Sequence, residues 1–166
     1  GSDKCAIRSM SDEFLHVDIF NIKNNILAAN ELVKHYDVCA VFTSASDCHE
    51  TVAHVARHLG LHGIDPDISR LCRYKYETRD IYTKGGIPQP KFKIVSNYKE
   101  AITALKNIGV PAALKATNNA GSRGFTKIEL ESDLTKEALD HAISNGTTGQ
   151  AIIEELTRVL KDFRIQ

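Results

Sequence analysis

Lys115 closes an apolar run, and six residues later the chain reads Gly121-Ser122-Arg123-Gly124, then Phe125-Thr126-Lys127-Ile128-Glu129. Glycines tolerate positive φ and let backbone N–H groups approach a ligand with no side chain in the way. Successive amides in such a loop form a concavity that attracts phosphate oxygens. A lysine at a strand end brings a mobile positive charge to the same oxygens. The segment is not a Walker A loop, because no Gly-Lys-Ser/Thr follows. Nor is it a dinucleotide fingerprint, because the residues after Gly124 read as strand and not as helix. A glycine-rich loop between antiparallel strands makes a flap over phosphates; the plain alternative is a hairpin loop with an incidental lysine. The segment by itself leaves both open.

Other chemistry-bearing residues point nowhere as definite. His49-Glu50 followed by His54 nearly imitates a zinc-protease motif, but a spacing of five turns the second histidine away from the first on a helix. His54 and His58 share a face without an evident third ligand, so solvent-facing helix histidines are expected and no metal site. Cys5, Cys39, Cys48 and Cys72 are scattered with no CxxC, which argues against a disulfide framework and for a reducing, cytoplasmic setting. Cys39 reads as a small core residue. With 21 basic and 21 acidic residues the chain offers no electrostatic case for nucleic acid or an anionic membrane. No apolar run is long enough to cross a bilayer.

The elements that must position the loop follow from periodicity. Val17-Asp18-Ile19 looks like a strand end. Ile26, Ala29, Val33 and Tyr36 fall at helical spacing after Ile22. Val38-Cys39-Ala40-Val41-Phe42 is continuously apolar, as in a strand buried on both faces. Asp47 with Glu50 forms a capping box for a helix whose inner face is Val52, Val55, Ala56 and Leu59, stopped by Gly60. Strand, helix, strand, helix predicts part of a doubly wound parallel sheet over residues 1–72. Residues 74–84 read as a helix closed by Gly85-Gly86, and Ile87-Pro88-Gln89-Pro90 as a stiff connector. A strand is expected over 91–95. A helix capped by Asn97 and Glu100 follows, with Ala101, Ile102, Leu105 and Ile108 inward and Gly109 at its end. Strands over 111–116 and 125–129 flank the loop as an antiparallel pair. A helix starting at Ser132 carries Leu134, Ala138 and Ala142, and a last strand runs over 150–154.

In this frame the run GVPAALKATNNAGSRGF resembles the lid subdomain of the ATP-grasp superfamily, which has an apolar strand, a lysine and a GSRG-like loop in that order. Lys75-Tyr76-Glu77-Thr78-Arg79 and Gly86-Ile87-Pro88-Gln89-Pro90 are similar to the hinge before that lid. Ala151-Ile152-Ile153-Glu154-Glu155-Leu156 is similar to the strand leading to the adenine pocket. Residues 11–64 resemble the later part of the preceding pre-ATP-grasp domain. The GSRG loop is most like the carboxylate–amine ligases and the carbamoyl-phosphate-synthase-like group.

The resemblance implies a partial pre-ATP-grasp domain over 1–72, a hinge helix and linker over 73–90, and a small α+β lid with antiparallel strands over 91–155. Residues 156–166 would begin a large catalytic subdomain. It also implies that Lys75 reaches the phosphates from the hinge and that Lys115 holds the α- and β-phosphates. Gly121, Ser122 and Gly124 would close over the β- and γ-phosphates. Glu154 would accept from the adenine amino group, and Glu155 and Leu156 would offer backbone contacts to the ring edge. The cofactors implied are ATP and Mg²⁺, with the metal ligands outside this chain; the catalytic residues proper are left unassigned. The family's ribose-binding glutamate commonly follows a glycine, which residues 158–162 lack; Asp162 fits the acidic position with a one-residue insertion. The expectation is therefore an internal piece of an ATP-dependent ligase, inactive alone, with a small carboxylate as second substrate and self-association through exposed strand edges. The competing expectation is a non-catalytic nucleotide-binding or interaction module that keeps the lid fold. A dinucleotide-dependent oxidoreductase fits poorly, since no GxGxxG follows a strand.

Overall fold

The structure, a computed structural model, describes residues 5–44 and 46–157. It divides into two compact units, Gly1–Cys72 and Arg73–Gln166.

The described residues of the first unit form a 3-10 turn (Ala6–Met10) and the α-helices α1 (Ile22–Leu32), α2 (His49–His58) and α3 (Pro66–Arg73). The Asn21 side chain caps α1 by accepting from the Asn24 amide at 3.0 Å. α1 buries Ala29, and α2 buries Ala53, Val55 and Ala56. His58 Nε2 meets Asn30 Oδ1 across the two helices at 2.8 Å. Cys48, not Asp47, stands at the N-cap of α2, with no side-chain cap bond. The start of α3 has a clear local cause that periodicity did not reveal. Asp65 Oδ1 accepts from the Asp67 amide at 2.8 Å while Pro66, which has no N–H to satisfy, opens the first turn.

The parallel sheet expected in this unit is not formed among the described residues. Neither Val17-Asp18-Ile19 nor the apolar run at 38–42 makes a strand, and Cys39 and Phe42 are exposed, Phe42 at 82 %. An apolar run reports that a segment belongs in an apolar environment; a strand exists only where a second strand completes its ladder. These segments line an open cavity of about 600 Å³ with Ala29, Val52 and Val55.

The second unit is a four-stranded sheet backed by helices. Its elements are α4 (Lys75–Lys84), β1 (Phe92–Val95), α5 (Tyr98–Ile108), β2 (Ala112–Ala116), β3 (Thr126–Ile128), α6 (Lys136–Ser144) and β4 (Ala151–Glu155). Strand order is β1-β4-β2-β3 with every neighbour antiparallel, as expected of the lid. One sheet face meets α5 and α6 through Val95, Ala112, Leu114, Ile128, Ala151 and Ile153, which pack with Leu105, Leu134 and Leu139. Side chains alternate along a strand, so the opposite face carries Ala113, Lys115, Ile152 and Glu154.

The α5 cap is the expected reciprocal box: the Glu100 amide donates to Asn97 Oδ1 at 3.0 Å, and Glu100 Oε2 accepts from the Ser96 amide at 2.8 Å. Ile102, expected inward, is exposed, because the buried stripe runs through Ala101, Ala104, Leu105 and Ile108 and Ile102 lies one residue off it. α6 starts at Lys136, not Ser132. Asp133 Oδ2 accepts from the Glu129 and Leu130 amides, holding Glu131–Asp133 as a separate 3-10 turn, and Thr135 then caps α6 through the Ala138 amide.

Candidate functional site

The sheet face turned away from α5 and α6 carries a charge network. Ala113 of β2 lies opposite Glu154 of β4, and Lys115 opposite Ile152. Lys115 and Glu154 are therefore diagonal neighbours on one face, a separation that long side chains bridge. Lys115 Nζ lies 2.5 Å from Glu154 Oε2. From α4, Arg79 Nε donates to the other oxygen, Oε1, at 2.8 Å. The Glu154 side chain is only 3 % exposed. Burial by itself pushes its carboxyl up; the hydrogen bonds from Arg79 and Lys115, with their charges, outweigh that and hold it below the usual glutamate value. The carboxylate stays ionised, and two of its roughly four acceptor positions are taken.

Lys75 is the first residue of α4 and feels the charges of both Lys115 and Glu154. Its Nζ donates to the Asn119 carbonyl at 2.6 Å, and its backbone N–H donates to the Thr117 carbonyl at 3.0 Å. Burial pushes the Lys75 ammonium down, the Lys115 charge pushes it further, and Glu154 opposes both. Two lysines that feel each other's charge, both near one buried carboxylate, make a site that gains from a ligand with several negative oxygens.

The loop beyond β2 is fixed at its base. Thr117 and Thr148 hydroxyls lie 2.5 Å apart. Asn118 exchanges two hydrogen bonds with Thr147, Nδ2 to Oγ1 at 2.5 Å and Thr147 N–H to Oδ1 at 3.0 Å. Asn119 Nδ2 donates to the Asn145 carbonyl at 2.6 Å. Thr117 and Asn118 are buried. The tip is open: Gly121 (φ +65°) and Ser122 (φ +59°) are exposed, and Gly124 (φ +72°) closes the turn with its carbonyl accepting from the Ala116 amide at 3.0 Å. Positive φ is costly for serine, and strain of that kind gathers at ligand-binding turns. Gly124 is obligatory for a second reason. A Cβ there would stand 2.7 Å from Asn145 Cβ and 3.1 Å from Ala116 Cβ.

Of the residues singled out in the sequence, Lys75, Lys115 and Glu154 are brought together, and the loop of Gly121, Ser122 and Gly124 begins two residues beyond the carbonyl that holds Lys75. Glu155 ends β4 and Leu156 follows it, and both amides are engaged: Glu155 N–H donates to the Lys91 carbonyl at 2.8 Å and Leu156 N–H to that of Pro111 at 3.0 Å. Asp162 lies outside the described residues. Sequence reading missed Arg79, Asn118 and Asn119. Arg79 carried a signal, since it stands four residues after Lys75 and so on the same helix face. Among the described residues no group of three or more histidine, cysteine or acidic side chains is placed to hold a metal ion, and no helix is long and apolar enough to cross a membrane.

No protein-family model matches the chain. Similarity to whole proteins is clear. The chain is 30 % identical over 112 residues to the uncharacterized protein y4rH of Sinorhizobium fredii, covering 68 % of this chain and 23 % of that one. It is 35 % identical over 77 residues to the alanine–anticapsin ligase of Bacillus subtilis, covering 46 % of this chain and 16 % of the ligase. Among solved structures, the biotin carboxylase domain of Hydrogenobacter thermophilus 2-oxoglutarate carboxylase, in complex with MgADP, ADP and bicarbonate, superposes with a TM-score of 0.70. That match has 21 % identity and covers 91 % of this chain and 36 % of that one. The chain has the ATP-grasp fold. This ATP-grasp chain spans about a quarter of the length of the first curated relatives it matches. Its antiparallel unit carries the lysine, glycine loop and glutamate in the order that the ATP-grasp resemblance requires.

Proposed function

We propose that the chain is the ATP-binding portion of an ATP-grasp ligase that activates a carboxylate as an acyl phosphate and joins it to an amine or related nucleophile. The observation that carries the reading is the convergence of Lys75, Lys115 and Glu154 beside a loop whose positive-φ residues Gly121, Ser122 and Gly124 can turn amides to a ligand. Ligase names among the relatives, including alanine–anticapsin ligase and D-alanine–D-alanine ligase, support the reaction class.

Lys115 and Lys75 bind triphosphate oxygens, relieving the mutual repulsion that depresses Lys75. The loop tip folds over the β- and γ-phosphates through its amides, while the clasped base from Thr117 to Asn119 keeps its anchor fixed. Glu154 accepts from the exocyclic amino group of adenine. Glu155 and Leu156 flank the ring edge; donation from their amides requires one of their present bonds to open. A substrate carboxylate oxygen then attacks the γ-phosphorus and the bond to ADP breaks. The amine displaces phosphate at the acyl carbon and gives up a proton. Such transfer asks the protein for positioning and charge neutralisation, which lysines and loop amides supply. Magnesium belongs to this chemistry in the resemblance, and the described residues supply no ligand set for it.

The test is calorimetric titration of the chain with ATP, for wild type and Lys115→Ala, each checked for unchanged thermal unfolding. Loss of a charge-assisted contact to phosphate is worth about 1.5–3 kcal/mol, so the variant should bind ten- to a hundredfold more weakly. Equal affinity in the two proteins, or none in either, rejects the reading.

A further inference from the structure

The nucleotide reading gives work to every charged side chain of the network except Arg79. Its partner is a carboxylate almost sealed from water, and a carboxylate in that position needs a cation beside it. Lys115 supplies one, but a Lys115 that turns to phosphate oxygens shares its charge with them and leaves Glu154 Oε2. The remaining cation on the carboxylate is then Arg79, bonded to Oε1 through Nε at 2.8 Å. Lys75 is the other cation near Glu154, but its ammonium donates to the Asn119 carbonyl and, in the nucleotide reading, turns its remaining donors to the phosphates.

Arg79 is itself braced. The Gln89 Nε2 amide, in the connector after α4, donates both to the Arg79 carbonyl at 2.9 Å and to Thr83 Oγ1 at 2.8 Å, while Thr83 Oγ1 donates to the same carbonyl at 2.9 Å. The guanidinium side chain is 21 % exposed, mostly withdrawn from solvent. Arg79 Nε–H, in the plane of a rigid guanidinium, donates along a set direction, which the rotating ammonium of a lysine does not do.

We propose that Arg79 is a positioning residue that anchors the Glu154 carboxylate as an acceptor for a 6-amino purine while Lys115 is engaged by phosphate, and thereby sets preference against a 6-oxo purine. The inference rests on the nucleotide reading above. An ionised carboxylate accepts only, so it bonds an amino donor and repels a carbonyl oxygen. Without Arg79 the carboxylate loses its fixed orientation, and burial favours a protonated form that can donate to the 6-oxo group instead.

The test uses the full chain, with ATP and inosine triphosphate as probes, for wild type, Arg79→Gln and Arg79→Lys. Thermal unfolding and the carbon-13 shift of the Glu154 carboxyl against pH are recorded for each. The expected result is a wild type that prefers ATP, and an Arg79→Gln protein about tenfold weaker for ATP with little change for inosine triphosphate. Its Glu154 carboxyl titrates at higher pH, a change that loosened packing alone does not give. Arg79→Lys keeps the charge without the planar fork, so it restores the titration and only part of the preference; it carries the test should Arg79→Gln fail to fold. An unaltered ATP preference in a folded Arg79 variant, with an unmoved carboxyl titration, overturns the inference and leaves the nucleotide reading intact. A wild type that binds neither nucleotide overturns both.

Discussion

Two glycines of one loop should respond very differently to the same added methyl group. Gly121 and Gly124 share a left-handed backbone, at φ +65° and +72°. That conformation costs an L-residue roughly 1–2 kcal/mol, offset by about 0.4–1 kcal/mol of lost unfolded-state freedom when alanine replaces glycine. At Gly121 nothing lies within 4 Å of the new Cβ, so Gly121→Ala should cost about 1 kcal/mol or less. At Gly124 the new Cβ meets Asn145 Cβ at 2.7 Å, Ala116 Cβ at 3.1 Å and the Ala142 carbonyl at 3.3 Å. All three belong to anchored backbone in β2 or at the end of α6, with no flexible chain end to swing aside, and overpacking adds about 1–3 kcal/mol. Gly124→Ala should therefore cost about 2–4 kcal/mol in all. In a unit of this size that lowers the melting temperature by roughly 10–25 °C, against a few degrees for Gly121→Ala. Hydrogen exchange at the β2 amides reads the second unit by itself, without interference from the first. Equal protection losses in the two variants would refute the reasoning, because they would mean that Gly124 does not lie against α6.

Acid should weaken the second unit through Glu154. Its carboxyl lies below the ordinary value of 4.5, so its contribution is complete above that value and is lost as pH falls through the lowered one. In Glu154→Gln the acid slope seen by circular dichroism should flatten, leaving the part due to Asp133, held low by the Leu130 and Glu129 amides, and Glu137, held low by its own amide and Thr135. Lys75 predicts the opposite sense of proton flow. A phosphate beside it lifts an ammonium that burial and Lys115 depress, so ATP binding at alkaline pH should take up a proton. Titrations in buffers of differing ionisation enthalpy should detect that uptake, and Lys75→Gln should abolish it. Asn118→Ala removes two hydrogen bonds to Thr147 and should cost about 1–3 kcal/mol in urea unfolding; an unchanged midpoint would show the clasp to be dispensable.

What the sequence disclosed was local. Asn97 with Glu100, Gly109 after α5, and the paired segments around Gly121-Ser122-Arg123-Gly124 each carry their cause within a few residues, and each formed as read. The α3 start was equally local, in Asp65-Pro66, but its periodicity is short and was passed over. Where the cause lay elsewhere in the chain, reading failed. Val38-Cys39-Ala40-Val41-Phe42 is as apolar as any buried strand, yet a ladder needs a partner, and its neighbours in sequence do not supply one. The α6 start moved because Asp133 turned its carboxylate back to two amides. At the site, Lys115 and Glu154 stood out by type and place in a strand, whereas the link from Arg79 in α4 to Glu154 in β4 spans 75 residues and exists only once the unit has folded.

The strand order has a bearing on how the second unit comes into being. β4, the last of the described strands to leave the ribosome, lies between β1 and β2 and supplies a sheet neighbour to both. Until Ala151–Glu155 has emerged, β1 has no sheet partner among the described residues, and the hairpin available there is the short β2–β3 pair. Assembly is thus a late, non-local closure rather than a stepwise zippering, of the kind associated with slow folding. During synthesis Phe92–Val95 waits with its backbone unpaired, an interval in which chaperones or neighbouring nascent chains find their opportunity.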